Sequence, residues 1–208
     1  MFYQEAAKYK MVVDCHGCNK PTGERRQYPH VINREAIRGY EFKNVDSRQT
    51  AYLPFTRSSI GPSDFTPAII PYLSGTVTVA HNMGLAVTLE SGMPTFSDMP
   101  DHFTSGEYLD FYRNLPVVWD ETKLVTADLG DYVVIARRSG NKWYVGCTAS
   151  YAGTIDVDLS FLGEGNHAAR IWQDSEYNKV SQSSQSVTSA SKLSLTVQKG
   201  GGFTMIIE

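Results

Sequence analysis

Cysteine is scarce, with three residues among 208: Cys15, Cys18 and Cys147. That is too few for a disulfide framework and leaves the redox compartment open. Long apolar runs are missing as well. No stretch reaches the roughly 18 apolar residues of a membrane helix, so no such span is indicated. An excess of positive charge is also absent, since 19 Lys and Arg face 22 Asp and Glu for a net charge of −3. Basic residues are adjacent only at Arg25-Arg26 and Arg137-Arg138, which is no electrostatic footprint for nucleic acid. The opening MFYQEAAKYK lacks the apolar centre of a signal peptide and reads as the end of an amphipathic helix. What is present is an ordinary globular composition, 41% hydrophobic and 20% charged, enough for a core of useful size.

The two ends of the chain have different textures. Before residue 119, short apolar stretches alternate with helical patterns. MVVD (11–14) reads as a buried strand, CHGCNKPTGERRQYP as a polar loop, and REAIRGYEF as a helical turn running into a strand. AYLPF (51–55) is a further strand candidate. VTVAHNMGLAVTLE (77–90) has Val79, Met83, Ala86 and Val87 on one side of a helix. GEYLDFYRNL (106–115) is a second helix, stopped by Pro116. Such alternation implies parallel βα units. After residue 119 strand patterns take over: DYVVIARR, KWYVGCT, TIDVDLS, AARIW, KLSLTV and FTMII. In TIDVDLS, apolar Ile155, Val157 and Leu159 alternate with Asp156 and Asp158, the mark of a half-buried antiparallel strand. SGN (139–141) reads as a hairpin turn and the Ser-rich 181–191 as an exposed hairpin edge. Six short strands with turn signals point to a β-sandwich. About four strands precede it, whereas a closed βα barrel needs eight, so the chain reads as the C-terminal portion of a larger protein.

Several residue groups could carry chemistry. The lone CHGC (15–18) has no second ligand pair at zinc spacing, and Asn19 stands where haem attachment needs His. Asp14 ends the strand MVVD and His16 follows it, at the strand end where barrel folds place ligands; a buried hydrogen-bonded pair is the competing reading. In VINREAIRGYEF, Glu35 and Glu41 lie six residues apart. On a helix this turns them by about 600°, onto different faces, and on a straight strand it sets them roughly 20 Å apart. They converge only if the chain bends, which Gly39 permits. Paired carboxylates serve glycoside hydrolysis or bind Ca²⁺; solvated surface charges are the ordinary alternative. Asp64 and Asp98 sit in turn-rich loops and read as Asx-turn formers. Trp119, Trp143, Tyr144 and Trp172 fall in strand-like apolar contexts and read as core.

Taken together, VDCHGCNKPTGERRQYPHVINREAIRGYEF, LPFTRSSIGPSDFTP, WDETKLV, ARRSGNKWYVGCT and GGGFTMII, in this order, resemble glycoside hydrolase family 97, a family of α-glucosidases and α-galactosidases. The resemblance covers essentially the whole chain. It implies the C-terminal half of a (β/α)₈ barrel over 1–118, then an antiparallel β-sandwich over 119–208. Residue by residue, Glu41 in RGYE matches the general acid/base, at a strand end. Glu35 in NRE matches a calcium ligand, and Glu41 is expected to share that Ca²⁺. His16 matches a pocket histidine that contacts sugar hydroxyls.

One position departs from part of the family. Inverting members carry a base glutamate directly after the histidine, where this chain has Gly17. The departure resembles the retaining α-galactosidase branch, whose aspartate nucleophile stands on an earlier strand and would lie before Met1. The resemblance therefore implies a fragment of a retaining exo-acting α-glycosidase, most readily an α-galactosidase, inactive when alone. The ligand would be an α-galactoside or α-glucoside oligosaccharide, and the location periplasmic or secreted. Two rivals remain, an inverting α-glucosidase and a non-catalytic carbohydrate-binding module.

Overall fold

The computed structural model of the chain describes residues 1–42, 45–68, 77–176 and 179–208. Helix α1 (Phe2–Lys8) leads into strand β1 (Val13–Cys15), helix α2 (Glu24–Gln27) and strand β2 (Val31–Arg34). Strands β1 and β2 pair in parallel, and Arg34 forms one further parallel bridge to Ser63. Among the described residues before 119, this is the extent of parallel pairing, so these residues do not by themselves display a barrel half.

AYLPF is not a strand. Ala51 and Tyr52 close helix α3 (Ser47–Tyr52), and Leu53–Phe55 continue as a 3₁₀ turn. The side chain of Asp46 caps α3 by accepting from the Arg48 amide at 3.0 Å. Pro54 fits the first turn that follows because its missing N–H is not needed there. REAIRGYEF differs too: its strand is the preceding β2, and Tyr40–Phe42 form a 3₁₀ turn. The two predicted helices are present as α4 (Val79–Thr88), capped by Thr78, and α5 (Leu109–Asn114).

From residue 121 the chain is antiparallel sheet. Strands β3 (Glu121–Asp128), β4 (Tyr132–Ser139), β5 (Lys142–Ala149), β6 (Gly153–Asp158), β7 (His167–Asp174), β8 (Val180–Val187), β9 (Lys192–Val197) and β10 (Gly202–Ile207) follow in order. They form a six-stranded sheet, β3-β4-β5-β10-β7-β8, and a two-stranded one, β6-β9. The two strands beyond the six apolar ones are β3 and β8, the edges of the large sheet; polar β3 carries no strand signal, whereas β8 falls in the Ser-rich segment that reads as a hairpin edge. Ser-rich β8 is such an exposed edge, with a polar exterior that discourages further pairing.

Burial explains the sequence texture. Val134, Val145, Met205 and Ile171 on one face of the large sheet pack with Ile155, Val157, Leu195 and Val197 of the small one. Tyr144, Trp172 and Ile206 on the other face meet Val79, Met83 and Val87 of α4 and Phe111 of α5. Strand β10 is thus covered on both sides and reads as the unbroken GFTMII, whereas β6 keeps one wet face and alternates. At one point helix α4 comes so near the sheet that glycine is required. A Cβ on Gly84 would overlap the carbonyl oxygen of Cys147 in β5, and one on Gly146 would come within 2.7 Å of the Gly84 oxygen.

Candidate active site

The candidate site lies at the C-terminal ends of β1 and β2. The Glu35 amide donates to the Cys15 carbonyl at 2.8 Å and the Ala36 amide to Cys18 at 3.2 Å. This pins the start of the NREAIRGYE loop against the CHGC turn. The bend that sequence spacing required occurs at Ala36, which adopts φ +42°, a conformation rare for a residue with a Cβ. Gly39 serves another purpose: a Cβ there would overlap the Phe65 carbonyl oxygen, to which Tyr40 donates at 3.2 Å.

Glu35, Glu41 and His16 converge. Nε2 of His16 lies 3.1 Å from Glu41 Oε2 and 3.8 Å from Glu35 Oε1. One potential ligand atom from each of the three residues falls within 4.8 Å of the others. Glu35 is buried, at 6% exposure, and its Oε2 accepts from the Gly17 amide at 2.5 Å. Gly17 itself has φ +66° and open space where a side chain would stand. The Glu41 carboxyl is more accessible, at 39% exposure, and projects toward solvent beside the imidazole.

A second layer supports these groups. Asp64 Oδ2 receives Nδ1 of His16 at 2.8 Å. The hydrogen bond to Asp64, reinforced by Glu41, raises the His16 pKa above its ordinary value against the opposing effect of burial. Asp14 on β1 is lifted by burial. Its Oδ2 lies 3.2 Å from Asn33 Nδ2, which also meets Met93 O and Ser91 Oγ, while the Gly92 amide donates to Asn33 Oδ1. Arg57 is buried and donates to the carbonyls of Arg34, Gly61 and Pro62. Arg34 reaches Asn19 and the Tyr3 hydroxyl.

The sequence-derived candidates fall into place unevenly. Glu35, Glu41 and His16 come together, and Asp14 lies behind them. Cys18 does not pair with Cys15; its thiol donates to the Cys15 carbonyl at 2.9 Å. Asp98 does not show the i+2 contact of an Asx turn; its carboxylate accepts from the neighbouring Met99 amide and meets the His102 ring. Asp64 does not either, because its carboxylate is turned toward His16. Trp143, Tyr144 and Trp172 are core residues. Asp64 and Arg57 went unrecognised as site residues, since their partners lie far away in sequence.

Family profiles match both ends of the chain. The profile described as "Glycosyl-hydrolase 97 C-terminal, oligomerisation" matches residues 118–208, and that of "Glycoside hydrolase 97" matches residues 1–37. The chain belongs to glycoside hydrolase family 97. A retaining alpha-galactosidase of Bacteroides thetaiotaomicron is 31% identical over 97% of this chain and 34% of its own length. A "probable retaining alpha-galactosidase" of Streptomyces bingchenggensis is 33% identical over 96% of the chain and 32% of its own length. A family 97 enzyme from Pseudoalteromonas sp. strain K8, solved with acarbose, superposes with a TM-score of 0.90 at 29% identity, covering 99% of this chain and 36% of that one. The same enzyme has been solved with panose. The chain thus spans about a third of the length of the curated relatives it matches.

Proposed function

We propose that these residues form the acid-bearing portion of a retaining α-galactosidase that removes terminal α-linked sugars. The observation that carries the reading is the convergence of Glu41, Glu35 and His16 where β1 and β2 end. The galactoside assignment rests on the names of the two curated relatives. In the proposal, residues 1–118 complete a (β/α)₈ barrel with polypeptide supplied from outside these 208 residues, and 119–208 form its companion β-sandwich. That outside polypeptide contributes the aspartate nucleophile, so the 208 residues alone are inactive. Gly17 favours this reading over an inverting α-glucosidase, because glycine offers no carboxylate to activate water.

Glu41 donates its proton to the glycosidic oxygen as the leaving group departs, then takes a proton from water when the glycosyl intermediate is hydrolysed. Its accessible carboxyl beside a partly exposed imidazole suits a group that meets substrate. His16 contacts sugar hydroxyls. Glu35 and Glu41 would hold a Ca²⁺ ion, which prefers oxygen ligands. Two glutamate carboxylates within reach of one point fit that preference, and the imidazole nitrogen of His16 suits it less. Bound Ca²⁺ would fix substrate hydroxyls and offset the local negative charge. Placement outside the cytoplasm, in the periplasm or medium, belongs to the same proposal.

The test uses the intact enzyme containing these residues and an aryl α-galactoside. NMR of the first-formed sugar is expected to show the α-anomer. Glu41→Gln is expected to lower turnover about 10²–10⁴-fold, the usual contribution of general acid–base catalysis. A β-anomer as first product, or no hydrolysis of any α-glycoside, overturns the reading.

A further inference from the structure

We propose that Arg57 is a positioning residue, whose guanidinium fixes the spacing of the two backbone segments that carry Glu35 and Asp64 and thereby holds the site cluster in place. The proposal rests on the reading of that cluster as the acid-bearing portion of a glycosidase. Arg57 is buried, at 8% exposure. Among the described residues it makes no ion pair, and two further arginines, Arg25 and Arg34, add their repulsion. Burying a lone cation is costly, and an apolar side chain would fill the same space without that cost. What the guanidinium supplies instead is a planar fork of donors in fixed geometry.

The fork is used where strand pairing gives out. Strand β2 meets the next segment at a parallel bridge from Arg34 to Ser63, and the backbone bond there, from the Asp64 amide to Arg34 O, is long at 3.4 Å. Nη2 of Arg57 donates to Arg34 O at 2.6 Å and to Pro62 O at 3.2 Å, so one nitrogen ties the two segments together. Nη1 donates to Gly61 O at 2.7 Å. Gly61 has φ +120°, and the Arg25 guanidinium occupies the space that a Cβ there would need. The turn that leads to Asp64 is thus gripped from two sides.

The grip reaches the site through the backbone. Arg34 O belongs to the peptide unit whose N–H is that of Glu35, and this N–H donates to Cys15 O of β1 at 2.8 Å. The unit is therefore held by β1 on one side and by Arg57 on the other. Directly after it comes Ala36 at φ +42°, a conformation that costs free energy and persists only where the surroundings enforce it. On the other segment Asp64, two residues past Pro62, sets its carboxylate 2.8 Å from His16. Release of Arg57 lets Ala36 relax toward ordinary backbone angles and lets the two segments part, which draws Glu35 and Asp64 away from His16. None of the Arg57 hydrogen bonds goes to Glu35, Glu41 or His16; its effect passes through main-chain carbonyls.

The experiment uses Arg57→Lys, which keeps the charge and replaces the fork by a single ammonium. In the 208-residue chain, amide hydrogen exchange is expected to quicken about tenfold or more at Glu35 and Ser63, with Val145 and Met205 in the sheet unchanged. In the intact enzyme, kcat on an aryl α-galactoside is expected to fall about 10–100-fold, with KM within about threefold. Exchange that stays at the wild-type rate at Glu35 and Ser63 overturns the proposal. So does exchange that quickens equally in the sheet, which marks Arg57 as a general stabiliser, and so does an unchanged kcat. Should Arg57→Lys fail to fold, the wild-type chain decides. Its Arg57 Nη protons are expected as separate, slowly exchanging NMR signals, and signals merged by free rotation overturn the proposal. Localised exchange in Arg57→Lys beside an intact wild-type enzyme that hydrolyses no α-glycoside would support the clamp and remove the functional reading instead.

Discussion

The large antiparallel sheet and the loops around β1 and β2 handle buried polarity differently. Among the described residues, the sheet region buries two charged side chains, Arg137 and Asp174, while the loops bury Arg34, Glu35, Arg57 and Asp64. Strand ladders satisfy their own amides and carbonyls, so the sheet can be filled with Val, Ile, Met and Phe. Irregular backbone has no such ladder, and side chains must complete it, as Arg57 does for three carbonyls. The same irregularity lets carboxylates from distant positions reach one imidazole. Regular structure here supplies stability, and irregular structure supplies position.

The comparison can be broken most directly where the two regions meet. Trp172 of β7 is fully buried, packs edge-on against Phe111 of α5 at 5.7 Å and donates to Glu107 O at 3.0 Å. Trp172→Ala is expected to cost about 3–5 kcal/mol in urea unfolding. A loss under about 1 kcal/mol would mean that α5 does not couple the sheet to what precedes it.

His81 of α4 gives the next largest effect. The neutral ring donates through Nδ1 to Gly201 O at 3.0 Å, and Nε2 faces the Thr50 hydroxyl at 2.8 Å. Complete burial lowers its pKa from 6.5 to about 4. Between these values the unfolded chain binds a proton that the folded one refuses, so stability falls as pH drops from about 6.5 to about 4, by about 3 kcal/mol from this group. Unfolding measured across that range should show the loss, and His81→Asn should flatten it. His16 has the opposite sign. Its raised pKa favours the folded state at low pH, and that contribution fades as pH climbs past 6.5 through the raised value. A mutant pair that failed to separate these two trends would erase the contrast between a core histidine and a site histidine.

The smallest of these effects concerns the helix–sheet contact. Gly84→Ala adds one methyl group where the Cys147 carbonyl already stands. It is expected to cost about 1–3 kcal/mol through forced backbone shifts, read as a lowered melting temperature. A neutral or stabilising outcome would show that α4 can lift off the sheet freely.

These contrasts also explain what could be read from the sequence. The antiparallel strands were legible because their periods follow burial: β6 alternates, and β10, covered twice, is continuous. Edge strand β3 was harder, since a polar edge carries no apolar period, and β8 was legible only from its Ser-rich composition. AYLPF looked like a strand because its residues are apolar, while the deciding signal, the Asp46 cap, lies five residues earlier. The site was legible in part. Pattern alone left Glu35 and Glu41 open, and the family resemblance separated them. The bend that joins them sits at Ala36, and no property of alanine announces a positive φ. Asp64 was masked by a plausible local role, because GPSDFTP resembles an Asx turn and the histidine it holds is 48 positions away.

The glycines between α4 and β5 have one more consequence. Most helix–sheet contacts are cushioned by side chains, which change rotamer when one element shifts. Where the Gly84 and Cys147 backbones meet there is no such cushion, although Val79, Met83 and Val87 pack on Tyr144, Trp172 and Ile206 beside it. From α4 a hydrogen-bond contact runs on through His81 to Thr50 on α3. A cut in the polypeptide at residue 118 would separate two textures of sequence but would also part α4 and α5 from the strands they pack against. The sheet is thus a footing for the polypeptide before it, and excising it would uncover Gly84 together with the apolar Val79, Met83 and Val87 of α4.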